Sequence, residues 1–270
     1  VRTVLWAHCF DEVRTGAMRV PAYVDVVRAH LATETSSTLV AAVLDRTLGA
    51  VRSRTAAPEQ VGDVTTGVAG ACLAGLALAP EPEVAFALTR GVVATTRDAD
   101  LLERWLRDGR TDDGVGLDPS LRWSALARLA ALGAVDAERI DAERVADGSF
   151  AGELGAARAL AARPTTEAKA AAWAAMTEPD VPNRLFEALA SGLWDASRPD
   201  LCAPYVDAYL AQGPDIARRR GQGFSLVLGR NAFPALALSP AQRSRLADVL
   251  AGDVPTVLAR QWNDALDDLG

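Results

Sequence analysis

The stretch "DPSLRWSALARLAALG", residues 118–133, reads as one helix with both ends marked. Asp118 offers a capping oxygen, Pro119 suits the first helical position, and Gly133 ends the run. Leucine and alanine fill most of what lies between. The same punctuation recurs on both sides. "DADLLERWLRDG" runs from an acidic start at Asp98 to Gly109, and "RTDDGVGL" (110–117) is the clearest loop. "VPAYVDVVRAHLATE" carries Val20, Val24, Val27 and Leu31 on one face at spacings of three and four. "SPAQRSRLADVLAG" and "DVPTVLARQWNDALDDLG" close the chain, each opened by a cap residue beside a proline.

About fifteen helices of roughly 10 to 18 residues follow from this reading, with no period-two stretch that reads as a strand. Short links make neighbouring helices antiparallel, and a series of hairpins this long stacks more easily than it closes into one bundle. The expected architecture is all-α: an α-α superhelix resembling HEAT or armadillo solenoids, over residues 1–270 as one domain. Segments such as "AARALAAR" and "AKAAAWAAM" offer small side chains that let helices approach closely, while six tryptophans supply bulk.

Half of the 270 residues are hydrophobic, enough for a large core. A net charge of −7 argues against a nucleic-acid surface, and no apolar run is long enough to cross a bilayer. Cys9, Cys72 and Cys202 are an odd, scattered set that reads as reduced, buried thiols of a cytoplasmic protein. Lysine occurs once and isoleucine twice, a bias toward Arg, Ala, Val and Leu that by itself accounts for the many arginines. Val1 stands where an initiator methionine would, which fits a piece of a longer protein.

Signs of chemistry are few. His8 and His30 are the only histidines, there is no HExxH and no CxxC, and both histidines read as ordinary helix residues. "RRRGQGFSLVLGR" (218–230) lacks the strand and third glycine of a dinucleotide fingerprint. It reads as a helix with glycines at close packing points and Arg218–Arg220 on a solvated face. "ASGLW" (190–194) does not meet GxSxG.

Arg122 is the informative charge. On a helical wheel Leu126 falls about 40° from it and Leu129 about 20°, while Ser124 and Arg128 fall on the opposite, solvent side. A guanidinium among leucines needs an acceptor. The simpler candidates are acids on the following helices: Glu138, Asp141, Asp147 or Glu153. The sharper candidate is a ligand carboxylate, which a planar guanidinium grips with two hydrogen bonds. Lys169 shares a face with Trp173 and Met176, opposite a nearly all-alanine side, and reads first as structural. Arg122, Lys169 and Arg184 are the candidate peptide contacts. No residue is a candidate for catalysis, cofactor binding or metal ligation.

Residues 117–173 closely resemble the C-terminal helical domain of the aminopeptidase N family, also found at the end of endoplasmic-reticulum aminopeptidases. The "LRW" helix, the Gly-ended turn, "ID", the "D…G" link and "PTTEAKAAAW" carry the likeness. The opening helices (5–34), "NAFPALALS" (231–239) and "ARQWNDALDD" (259–268) resemble it more loosely. The resemblance implies a non-catalytic domain of a zinc-dependent enzyme that removes N-terminal residues from peptides. Its zinc site, an HExxH helix, would lie in a preceding thermolysin-like domain of the same polypeptide, absent here. This domain would enclose the substrate chamber and contact peptide. The alternative is a free-standing HEAT-like scaffold binding a protein partner on its concave face.

Overall fold

Asp118 Oδ1 accepts the Leu121 N–H at 2.7 Å, and Gly133 leaves its helix in left-handed backbone at φ 75°. The other caps act alike. Asp98, Asp136, Ser149 and Thr165 each accept a backbone N–H of their first turn, and Ser239 and Gln242 form a reciprocal capping box. The computed structural model describes residues 1–54, 58–234 and 236–269, so residue 235 of the "NAFPALALS" stretch lies outside the described residues.

Among the described residues there are fourteen α-helices and no strand. They are α1 (Arg2–Arg14), α2 (Val20–His30), α3 (Ser37–Arg54), α4 (Pro58–Leu76), α5 (Pro82–Thr95), α6 (Ala99–Asp108) and α7 (Pro119–Leu132). Then come α8 (Ala137–Asp147), α9 (Phe150–Ala162), α10 (Thr166–Thr177), α11 (Asn183–Leu193), α12 (Pro199–Asn231), α13 (Pro240–Leu250) and α14 (Thr256–Leu269). Gly221, at φ 80° and ψ −176°, breaks α12 into two runs, so the expected fifteen differs only in how this break is counted. Residues 110–117 form the expected loop, pinned by one isolated Arg110–Gly116 bridge.

The glycines of "RRRGQGFSLVLGR" divide. Gly221 and Gly223 face open space, so close packing does not explain them, whereas Gly229 abuts Gln261 and Leu258. Arg218 and Arg219 are exposed, as expected of a solvated face, while Arg220 is half-buried. Arg218 pairs with Asp215 and Asp253, and Arg220 stacks on Phe224 at 4.0 Å while donating to the Pro179 and Val181 carbonyls.

The helices form two layers. α3, α5, α7, α9 and α11 pack each on the next, and α2, α4, α6, α8 and α10 cover them from the other side. α9 is the joint between two apolar cores. Ala156, Ala159 and Ala162 belong to the core built from α1 to α8, and Ala161 to the core built from α10 to α14. A helix buried on both faces between close neighbours must be small-sided, which explains its run of alanines. A β-carbon on Gly155 would lie 2.4 Å from the Trp123 ring, and one on Gly192 would lie 2.2 Å from the Arg158 carbonyl oxygen.

The inner layer also curls. With interaxial spacings of about 8–10 Å, three steps from α3 to α9 would span roughly 25–30 Å in a flat layer. Yet Arg52 of α3 interacts electrostatically with Arg158 of α9 and with Asp195 beyond α11. A cavity lined by α1, α3, α12 and α14 brings the two ends together. The expected superhelix is present, and its inner face is concave.

Gly192→Ala drives a methyl into backbone that cannot move without shifting α9. It should destabilise the chain by about 2–3 kcal/mol, read from urea unfolding midpoints at constant m-value.

Candidate functional site

The three sequence-derived candidates lie apart and share no partner. Arg122 leaves α7 toward α8 and is about one-third exposed. Its Nη2 and Nε donate to Glu143 Oε1 at 2.7 and 3.2 Å, and Nη1 donates to the Leu106 carbonyl at 3.0 Å. The partner is therefore an acid of the next helix, but not one of the four expected. Glu143 stands opposite the guanidinium, whereas Asp141 and Glu153 pair with Arg144, and Asp147 accepts from Trp123 Nε1 at 2.6 Å.

Lys169 is fully buried. Its Nζ donates to the Ala161 carbonyl of α9 at 2.8 Å and the Gly192 carbonyl of α11 at 2.9 Å. It ties together the two helices that Gly192 lets approach. Burial pushes its pKa below 10.5, and nearby Cys202 and Asp195 oppose that shift. Arg184, in the first turn of α11, is exposed and has no hydrogen-bond or ion-pair partner among the described residues.

The concave face carries a different set of arginines. Arg52 (α3) lies within electrostatic range of both Arg128 (α7) and Arg158 (α9), and Asp195, which follows α11, faces Arg52 and Arg128. Arg52 and Arg158 reach solvent, and Arg128 is half-buried. All three nonetheless have pKa values lowered chiefly by desolvation, because protein surrounds them on several sides and withholds part of their hydration. Asp195 opposes the shift at Arg52 and Arg128, while Arg97 and Arg52 add to it at Arg128. Arg128 donates to the Thr96 and Thr95 carbonyls at 2.7 and 3.3 Å, a cation closing the C-terminus of α5. The wheel had placed Arg128 toward solvent. The curled layer makes that side of α7 the inner one.

Sequence reasoning missed this set because its members are dispersed over about a hundred and fifty positions and only curvature gathers them. Such a face attracts carboxylates and peptide carbonyl oxygens. Among the described residues no group of three or more His, Cys, Asp or Glu side chains is placed to hold a metal. No described helix is long and apolar enough to cross a membrane. Cys72 and Cys202 are buried as expected, Cys9 only partly so, and burial pushes the Cys72 thiol up to about 12.

The family model of the ERAP1-like C-terminal domain matches residues 1–269. The chain belongs to that family. It is 31% identical over 265 residues to aminopeptidase N of Streptomyces lividans. That match covers 96% of this chain but 31% of the relative, so the chain spans about a third of the relative's length. The resemblance read from residues 117–173 is thereby shown for nearly the whole chain.

Two measurements test the roles given to Arg122 and Lys169. Arg122→Ala and Glu143→Gln should each lower stability by about 1 kcal/mol, and the double variant by less than their sum, in a double-mutant cycle. Lys169 has a folded pKa below its unfolded 10.5, so between those values the unfolded chain binds more protons. Its contribution is therefore full above 10.5 and is lost as pH falls through the folded value. The stability of the wild type relative to Lys169→Met should rise toward pH 10.5 in denaturant titrations.

Proposed function

We propose that this domain encloses the substrate chamber of a zinc-dependent aminopeptidase and holds the distal part of the peptide. The catalytic domain of the same polypeptide would be its partner. The observation that carries the reading is the concave arginine set, Arg52 within electrostatic range of Arg128 and Arg158, with Asp195 facing two of the three, in a chain of net charge −7. A bound peptide offers carbonyl oxygens, acidic side chains and a terminal carboxylate to such a surface, and guanidinium groups hold these oxygens in defined geometry. The zinc would sit in the catalytic domain, since the described residues here supply no ligand set for it. The expected roles of this domain are shape and electrostatics. The cytoplasm is the proposed compartment.

Arg122 and Lys169 fit the peptide role less well than the concave set, because their donors are already engaged within the chain. Arg184 remains available for it.

The test compares this chain with one extended upstream, using zinc, an aminoacyl-coumarin substrate and a peptide of several residues. Hydrolysis should appear only in the extended form. In that form Arg52→Ala should raise KM for the peptide about tenfold, leaving the coumarin substrate nearly unchanged. Hydrolysis by the short chain, or equal effects on both substrates, would sink this reading. Inactivity of both chains would favour the protein-binding scaffold.

A further inference from the structure

We propose that the seam between the two ends of the superhelix binds a small, multiply charged oxyanion of the phosphate type. A cavity of about 450 Å³ lies there, lined by α1, α3, the end of α12 and α14. That volume falls in the range of small-molecule sites. Five arginines line it: Arg14, Arg46, Arg52, Arg54 and Arg230. Asp264 is the one carboxylate among the lining residues.

Three of these charges, on Arg14, Arg46 and Arg230, have no acid paired with them among the described residues. Some arginines elsewhere find acids, as Arg104 does with Asp112, Arg122 with Glu143, and Arg144 with Asp141 and Glu153, but those stand singly rather than gathered around one cavity. With 35 acidic residues against 28 basic ones, partners are not scarce. Yet Arg14, Arg46 and Arg230 form no hydrogen bond or ion pair among the described residues, and Arg52 meets Asp195 and Asp45 only at electrostatic range. Arg46 instead lies over the Phe10 ring at 5.6 Å, and Arg54 donates to the Val13 carbonyl at 3.4 Å.

Guanidinium groups crowded in a concavity repel one another unless counter-charge enters. A monocarboxylate would answer one of them, whereas a diphosphate-type anion brings several charges and several acceptor oxygens into the same volume. Phe10 and Phe233, both half-buried on the cavity wall, leave apolar surface for an organic portion. Because its walls come from the first and last helices, an anion here would also latch the two ends together.

The probe is inorganic pyrophosphate, titrated calorimetrically into this chain, a readout blind to hydrolysis and so separate from the peptidase reading. Binding should occur at millimolar concentrations or below. Arg46→Ala on one wall and Arg230→Ala on the other should each weaken it about tenfold, while Arg219→Ala, an exposed arginine outside the cavity, should not. Bound pyrophosphate should also raise Tm in the wild type and lose that effect in both cavity variants. Arg46 and Arg230 are exposed, so the fold should survive, and Arg46→Gln and Arg230→Gln give a second pair if either alanine variant fails. No binding, or equal affinity in variants and wild type, would overturn the proposal. So would displacement of pyrophosphate by a peptide carboxylate but not by its amide, which would assign the pocket to substrate.

Discussion

The structure depends on how closely α9 is held between α7 and α11. Helices with ordinary side chains stand about 8–10 Å apart, and neither neighbour could come nearer without removing side chains at the crossing. Gly155 removes one beneath the Trp123 ring, and Gly192 another beneath the Arg158 carbonyl. Such closeness leaves carbonyls at the ends of both helices shielded from water, and Lys169 answers two of them with one amine. The single lysine of the chain thus acts as an internal cap for two helices at once. Moving α9 outward would open both apolar cores, since each takes alanines from it.

From this joint the curvature follows, and from the curvature the site. In a flat stack of helices Arg52, Arg128 and Arg158 would be three unrelated surface charges, each solvated and each worth little. Curling the inner layer brings Arg128 and Arg158 within reach of Arg52, sets Asp195 near Arg52 and Arg128, and strips part of the hydration of all three. Each then interacts more strongly with any anion that arrives, because less water must be displaced to reach it. The same curl joins α1 and α3 to α12 and α14 across the arginine-lined seam.

Much of this was legible in the sequence, and the division is physical. Caps are local: Asp118, Ser149, Thr165 and Ser239 announce their helices within four residues, so element type and most boundaries could be read. The family likeness was readable because it rests on the same local elements. Pairing between helices is not local. Arg122 was expected to meet an acid on a following helix and does, yet Glu143 could not be chosen over Glu138 or Asp141 without the register of α8 against α7. Arg128 shows the same limit: a wheel gives faces but not which face is inside, and in a curved layer the inner side can carry charge. Composition also misled, for a bias toward arginine explains how many there are but not why Arg14, Arg46 and Arg230 should stand without an ion pair around one cavity.

The placement of charge carries the argument one step further. Glu103, Asp112, Asp141 and Glu153 hold the arginines of α6 and α8 in exposed pairs. Seen from a distance the molecule is negative, and at physiological salt its field fades within about 8 Å. An anionic ligand is therefore not steered from bulk solution by the inner arginines. It meets them only after entering the concavity, where low local hydration makes each contact strong. Selection then rests on what fits inside rather than on long-range attraction, which suits an enclosure better than an open adhesive surface.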